Sequence, residues 1–140
     1  MESTVAWASG MSFNASQDGH DIILDASIEF GGTDRGVQPK TLLLTGLGGC
    51  TAMDVVSILN KMRVEYTGLK IHVSADLTED HPKVFKFIHV KYVFSGKDLP
   101  MEKLEKAVSL SQEKYCGVSA MLIKACPITH EIVLDSADAR

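Results

Sequence analysis

The stretch from Pro39 to about Met62 constrains this chain most. It is apolar nearly all round, through Leu42, Leu43, Leu44, Leu47, Ala52, Met53, Val55, Val56, Ile58 and Leu59. Pro39 suits the first turn of a helix, where its missing N–H has no partner to lose. A helix that is apolar on every side is either buried or membrane-spanning. The run Leu42–Leu59 approaches the length of a span, but it holds Gly46, Gly48, Gly49, Asp54 and several hydroxyls, and no second such run exists. A buried central helix is therefore expected. A glycine inside a helix costs roughly 1 kcal/mol relative to alanine. Three of them just before Cys50 predict that another backbone or helix packs very close.

Shorter elements surround this helix. Val5–Trp7, Ser12–Ala15 and Asp21–Asp25 read as strands, with a hairpin turn at Asp18-Gly19. Leu69, Ile71, Val73, Ala75 and Leu77 alternate with polar residues, the pattern of a half-buried strand. Val84–Phe94 is a second, longer strand. Leu104, Ala107, Val108, Ser111 and Tyr115 fall at helical spacing, Cys116-Gly117 interrupts that helix, Val118–Lys124 forms another, and Thr129–Leu134 closes as a strand. The order β-β-β-α-β-β-α-α-β, with hairpins in place of regular βαβ units, predicts an α+β fold with mainly antiparallel sheet. A length of 140 residues predicts one domain over 1–140.

Fourteen basic against 18 acidic residues give a net charge of −4, and Arg35, Arg63 and Arg140 are scattered. That argues against nucleic-acid binding, which needs a basic face. Cys50, Cys116 and Cys126 are odd in number and far apart, which suits neither a secreted disulfide framework nor a zinc spacing. Met1–Val5 lacks a basic segment followed by an apolar run, so the expected location is the cytoplasm and its thiols are expected to be reduced. Cys50 can be read as a small hydrophobe filling a core site. Cys116 precedes a helix, where the N-terminus favours thiolate. Cys126 reads as incidental, and His130, close to it in sequence, as unconnected with a metal.

Pro39-Lys-Thr-Leu-Leu-Leu-Thr-Gly-Leu-Gly-Gly-Cys50-Thr-Ala-Met-Asp-Val-Val resembles the central-helix motif of the OsmC/Ohr family, the osmotically induced and organic-hydroperoxide-resistance proteins. Glu113-Lys-Tyr-Cys116-Gly-Val-Ser119 resembles that family's second cysteine motif, and Ile128–Val133 its last strand. The resemblance covers essentially the whole chain and points to the YhfA-like branch. It implies an OsmC-like fold in which antiparallel sheets wrap the long central helices of an intertwined homodimer, with the active site at the subunit interface. It also implies a thiol-dependent peroxidase without cofactor or metal. Cys50 would attack an organic hydroperoxide, Cys116 would close a disulfide with the resulting sulfenic acid, and an external thiol or dithiol would restore the pair.

The family's activating residues do not carry over. Its hydroperoxide-resistance members use an arginine from the N-terminal ribbon, held by a glutamate one residue after the helix-starting proline. Here that position is Lys40, and the ribbon Val5–Asp25 has no arginine. Arg35 is the nearest, in the loop before Pro39. Lys40 lies about 15 Å of helical rise from Cys50. Asp54, four residues after Cys50, shares its helix face and would oppose thiolate formation. The departures motivate a second reading, a non-catalytic or redox-sensing member of the fold that binds a small apolar ligand at the dimer cleft. An acyl-thioesterase-like enzyme, which shares a long helix wrapped by sheet, ranks last.

Overall fold

The structure is a computed structural model and describes residues 1–135. It divides into two compact units, Met1–Leu43 and a second from Leu44 onward. In the first unit, β1 (Thr4–Ser9), β2 (Ser12–Gln17) and β3 (His20–Leu24) form an antiparallel three-stranded ribbon. The β2–β3 turn is Asp18-Gly19, with φ of 51° and 80°, the two positive values that a tight hairpin turn requires. After β3 the chain loops through a 3-10 turn at Ile28–Phe30. The buried Asp25 carboxylate organises this loop, accepting from Ala26 N (2.8 Å), Thr33 N (3.1 Å), Thr33 Oγ1 (2.6 Å) and Arg35 N (3.2 Å). Gly32 lets the loop close, because a Cβ there would lie 1.9 Å from the Ala26 carbonyl oxygen.

The second unit holds most of α1 (Pro39–Lys61), then β4 (Gly68–Leu77), β5 (Phe85–Ser95), α2 (Met101–Leu110), α3 (Gly117–Leu122) and β6 (Ile128–Asp135). The sheet order is β4-β5-β6. β4 and β5 are antiparallel, while β6 runs parallel to β5, pairing Val90 with His130. The helical crossover through α2 and α3 permits that parallel pairing, since parallel neighbours need a long connection. The sheets are thus mainly antiparallel, with this one exception.

β5 alternates strictly over its central stretch, burying Ile88, Val90, Tyr92 and Phe94. These pack with Leu47, Val55 and Leu59 of α1 and with Leu104, Ala107 and Val108 of α2 in the main core. α1 buries the stripe Leu47, Gly48, Thr51, Val55, Leu59, one face at i, i+4 spacing. By length and composition α1 would also pass for a membrane span. Of its remaining apolar residues, Leu44 and Ile58 pack half-buried against that core, whereas Met53 is 75% exposed and Leu43 49%. The glycines divide in the same way. A Cβ on Gly48 would stand 3.1 Å from Val73 Cγ2 of β4, whereas Gly46 and Gly49 meet nothing within 4 Å. Among the described residues the expected close approach therefore holds at Gly48 and not at Gly46 or Gly49.

Candidate active site

α1 carries three polar side chains on or beside its inner stripe. Cys50 is half-buried, Thr51 is fully buried, and Asp54 follows Cys50 by one turn. The facing wall comes from the end of α2. There the helix passes into a π turn, Ser111–Tyr115, with Cys116 N donating to Ser111 O at 2.8 Å. A π turn admits one extra residue. The inward row Leu104, Ala107/Val108, Ser111 therefore continues to Cys116, which is 2% exposed, and not to Tyr115, which is 53% exposed. The helical spacing that predicts Tyr115 on the inner face is overturned by this insertion.

The two expected site cysteines meet here although their segments are remote in sequence. The sulfurs of Cys50 and Cys116 and a carboxylate oxygen of Asp54 all lie within 4.8 Å of one another. Both thiols are free. Cys116 caps α3, its sulfur accepting from Ser119 N at 3.3 Å. That contact favours thiolate, as expected of a helix N-terminus, but it is outweighed. Burial first, then the Cys50 thiol, pushes the Cys116 thiol from its ordinary 9.0 up to about 11, with the Asp54 charge adding to the rise. Cys116 is thus held protonated at neutral pH.

A polar chain runs behind the sulfurs. Ser111 Oγ donates to Asp54 Oδ2 at 3.0 Å. Thr51 Oγ1 is 2.8 Å from Ser111 Oγ and 2.6 Å from Tyr92 OH. Gln112 Nε2 donates to Tyr92 OH, and Ser119 Oγ donates to Gln112 Oε1 at 2.8 Å. With Asp54 ionised, each hydroxyl's single proton fixes the direction: Tyr92 donates to Thr51, Thr51 to Ser111, and Ser111 to the carboxylate. Aligned donors of this kind reinforce one another in a low-dielectric interior. Burial raises the Tyr92 phenol above its ordinary 10.0, against its hydrogen bonds with Thr51 and Gln112. Among the described residues no buried side-chain nitrogen or oxygen lacks a partner.

The sequence motifs single out neither Thr51, Tyr92 nor Gln112. The available signals are a hydroxyl in the i+4 slot of an apolar helix stripe and a Tyr at an inward position of β5. Asp54 shares the Cys50 face as expected, and within the chain it accepts from Ser111 Oγ. Cys126 is buried in the core outside this cluster, and His130 stands edge-on to the Tyr92 ring. Arg35 is exposed, beside Asp21 and Asp34 on an open concavity of the first unit.

A sequence model of the OsmC family, described as OsmC-like protein, matches residues 32–131. Protein YhfA of Escherichia coli K12 is 37% identical over 131 residues, covering 93% of this chain and 95% of the relative. The crystal structure of a hypothetical protein from Aquifex aeolicus VF5 superposes with a TM-score of 0.81 at 34% identity over 96% of each chain. The crystal structure of an organic hydroperoxide resistance protein OsmC from Legionella pneumophila does so at 0.72, with 17% identity over 94% of this chain and 95% of the other, which is a likeness of fold.

Proposed function

The chain belongs to the OsmC family, and on that premise we propose that it is a thiol-dependent peroxidase that reduces organic hydroperoxides through Cys50 and Cys116. The observation that carries this reading is the meeting of the two sulfurs in one cluster. Their environments divide the labour. Cys50, the more exposed, attacks the distal oxygen of ROOH as thiolate. The O–O bond breaks, alcohol leaves once its oxygen takes up a proton, and Cys50 is oxidised to sulfenic acid. Cys116, buried and protonated until then, displaces the sulfenic hydroxyl. The S–S bond forms, and the thiol proton leaves with the hydroxyl as water. An external dithiol then reduces the disulfide. We place this cycle in the reducing cytoplasm, where such a dithiol is supplied.

The same reading makes the protein a homodimer. Met53 on α1 and, in the first unit, Trp7, Ile28 and Phe30 are each more than 60% exposed, and they are the apolar side chains that a second copy would cover.

The test is consumption of cumene hydroperoxide with dithiothreitol by the full chain. Turnover is expected in the wild type and absent in Cys50→Ser. Cys116→Ser is expected to react once and then to over-oxidise. Full activity in Cys50→Ser overturns the assignment. A second reading, a redox sensor or non-catalytic binder of a small apolar ligand, is favoured by one observation: burial, with the Asp54 charge adding to it, works against ionisation of the Cys116 thiol. Loss of both thiols after one equivalent of peroxide, without turnover on added dithiol, identifies a sensor. If the two thiols do not pair at all, the binder remains.

A further inference from the structure

We propose that, in the reduced protein, Cys50, Asp54 and Cys116 form a binding site for a thiophilic divalent cation of the zinc class. The site needs only the donor geometry and does not rest on the peroxide chemistry. Two sulfurs and one carboxylate oxygen lie within 4.8 Å of one another. Bonds of about 2.3 Å to sulfur and about 2.0–2.2 Å to oxygen set tetrahedral ligand separations of roughly 3.5–4 Å. Closing the group to that spacing is a movement on the order of 1 Å. Two thiolates and a carboxylate select a borderline-soft ion over magnesium or calcium, whose preferred ligands are all oxygen. Three protein ligands leave the fourth position to water.

The surroundings are those of a built site. Cys50 and Asp54 stand one turn apart on the same rigid helix, so their spacing does not depend on a loop. Ser111 Oγ holds one oxygen of Asp54, and Ser119 N fixes the Cys116 sulfur. Outer contacts of this type orient the ligands and tune affinity. Binding is balanced as follows: each thiol releases its proton to solvent, the carboxylate contributes its existing charge, and the dication carries three anionic ligands. No electron moves. The cation and the Cys50–Cys116 disulfide therefore exclude one another, because each uses the same two sulfurs.

The experiment titrates the reduced full-length protein, kept in a non-thiol reductant, with Cd²⁺. It follows the ultraviolet sulfur-to-cadmium charge-transfer band and the protons released, with Zn²⁺ as competitor. One equivalent per chain, two protons per cation and displacement by Zn²⁺ are expected. The band is lost in Cys50→Ser and unchanged in Cys126→Ser. Affinity in Asp54→Asn falls about tenfold or more, while its circular dichroism and metal-free Tm stay near wild type, because the amide oxygen can still accept from Ser111. Absence of a band in the wild type, its persistence in Cys50→Ser, its loss in Cys126→Ser or an undiminished affinity in Asp54→Asn overturns the site. If Cys116→Ser fails to fold, the Asp54→Asn and Cys50→Ser arms still decide.

Discussion

At the scale of single residues, Thr51 has the most to lose. Its hydroxyl joins Tyr92, Ser111 and Gln112 in a fully buried place. Thr51→Val keeps the shape and strands the Tyr92 proton, so unfolding by urea should show a loss of about 1–3 kcal/mol. Adding Tyr92→Phe removes the stranded group and should recover part of that loss, a non-additivity that a double-mutant cycle reads. Asp25 provides the pH dependence. Foremost the hydroxyl hydrogen bond from Thr33, and then three backbone N–H groups, hold its carboxyl below the ordinary 3.8, against its desolvation. The unfolded chain therefore takes up this proton first as pH falls. The stabilisation is complete above the unfolded-state value of 3.8 and is lost as pH drops through the lower folded value. Asp25→Asn should lower the Tm at pH 7 and flatten the acid limb of a Tm–pH profile; an unchanged acid limb would refute this role.

At the scale of elements, α1 and β4 meet through Gly48. Gly48→Ala gains about 1 kcal/mol of helix propensity, but it presses a methyl to 3.1 Å from Val73 Cγ2. Overpacking of this kind costs about 1–3 kcal/mol, so a net loss is expected. In a Val73→Ala background the obstruction is gone and Gly48→Ala should stabilise by about 1 kcal/mol. Chemical denaturation of the four variants checks the reversal. The π turn is the other element that matters. Regular helical spacing would place Tyr115 inward. One additional residue in the turn brings Cys116 inward in its place, together with Ser111 and the adjoining Gln112. No local propensity in Ser-Gln-Glu-Lys-Tyr announces a wide turn. Its inward registration is visible only against the packed surfaces of α1 and β5.

At the scale of the whole molecule, the unburied apolar face of α1 carries the expectation of a second copy. Met53, 75% exposed, lies on the side of the helix away from its buried stripe. Met53→Lys leaves the core of the chain untouched. It should convert the dimer to monomer in sedimentation velocity at micromolar concentration while the far-ultraviolet spectrum is retained. A wild-type monomer would overturn the homodimer reading outright.

Much was legible in the residues alone because it is local. The long helix from Pro39, the Asp18-Gly19 turn, the alternation in β4 and β5 and the break at Cys116-Gly117 each follow from spacing or backbone chemistry within a few residues. The two cysteine motifs carried the family. Sequence could not show which face of an all-apolar helix is buried, since every face qualifies, nor the parallel seating of β6, which depends on where a crossover ends. It set Cys50 and Asp54 one turn apart but left their distance to Cys116 unspecified, with no zinc spacing among the three cysteines. Only tertiary packing sets three donors from two segments within 4.8 Å, because that distance is fixed by how α1 and the π turn bury their inner faces against one sheet.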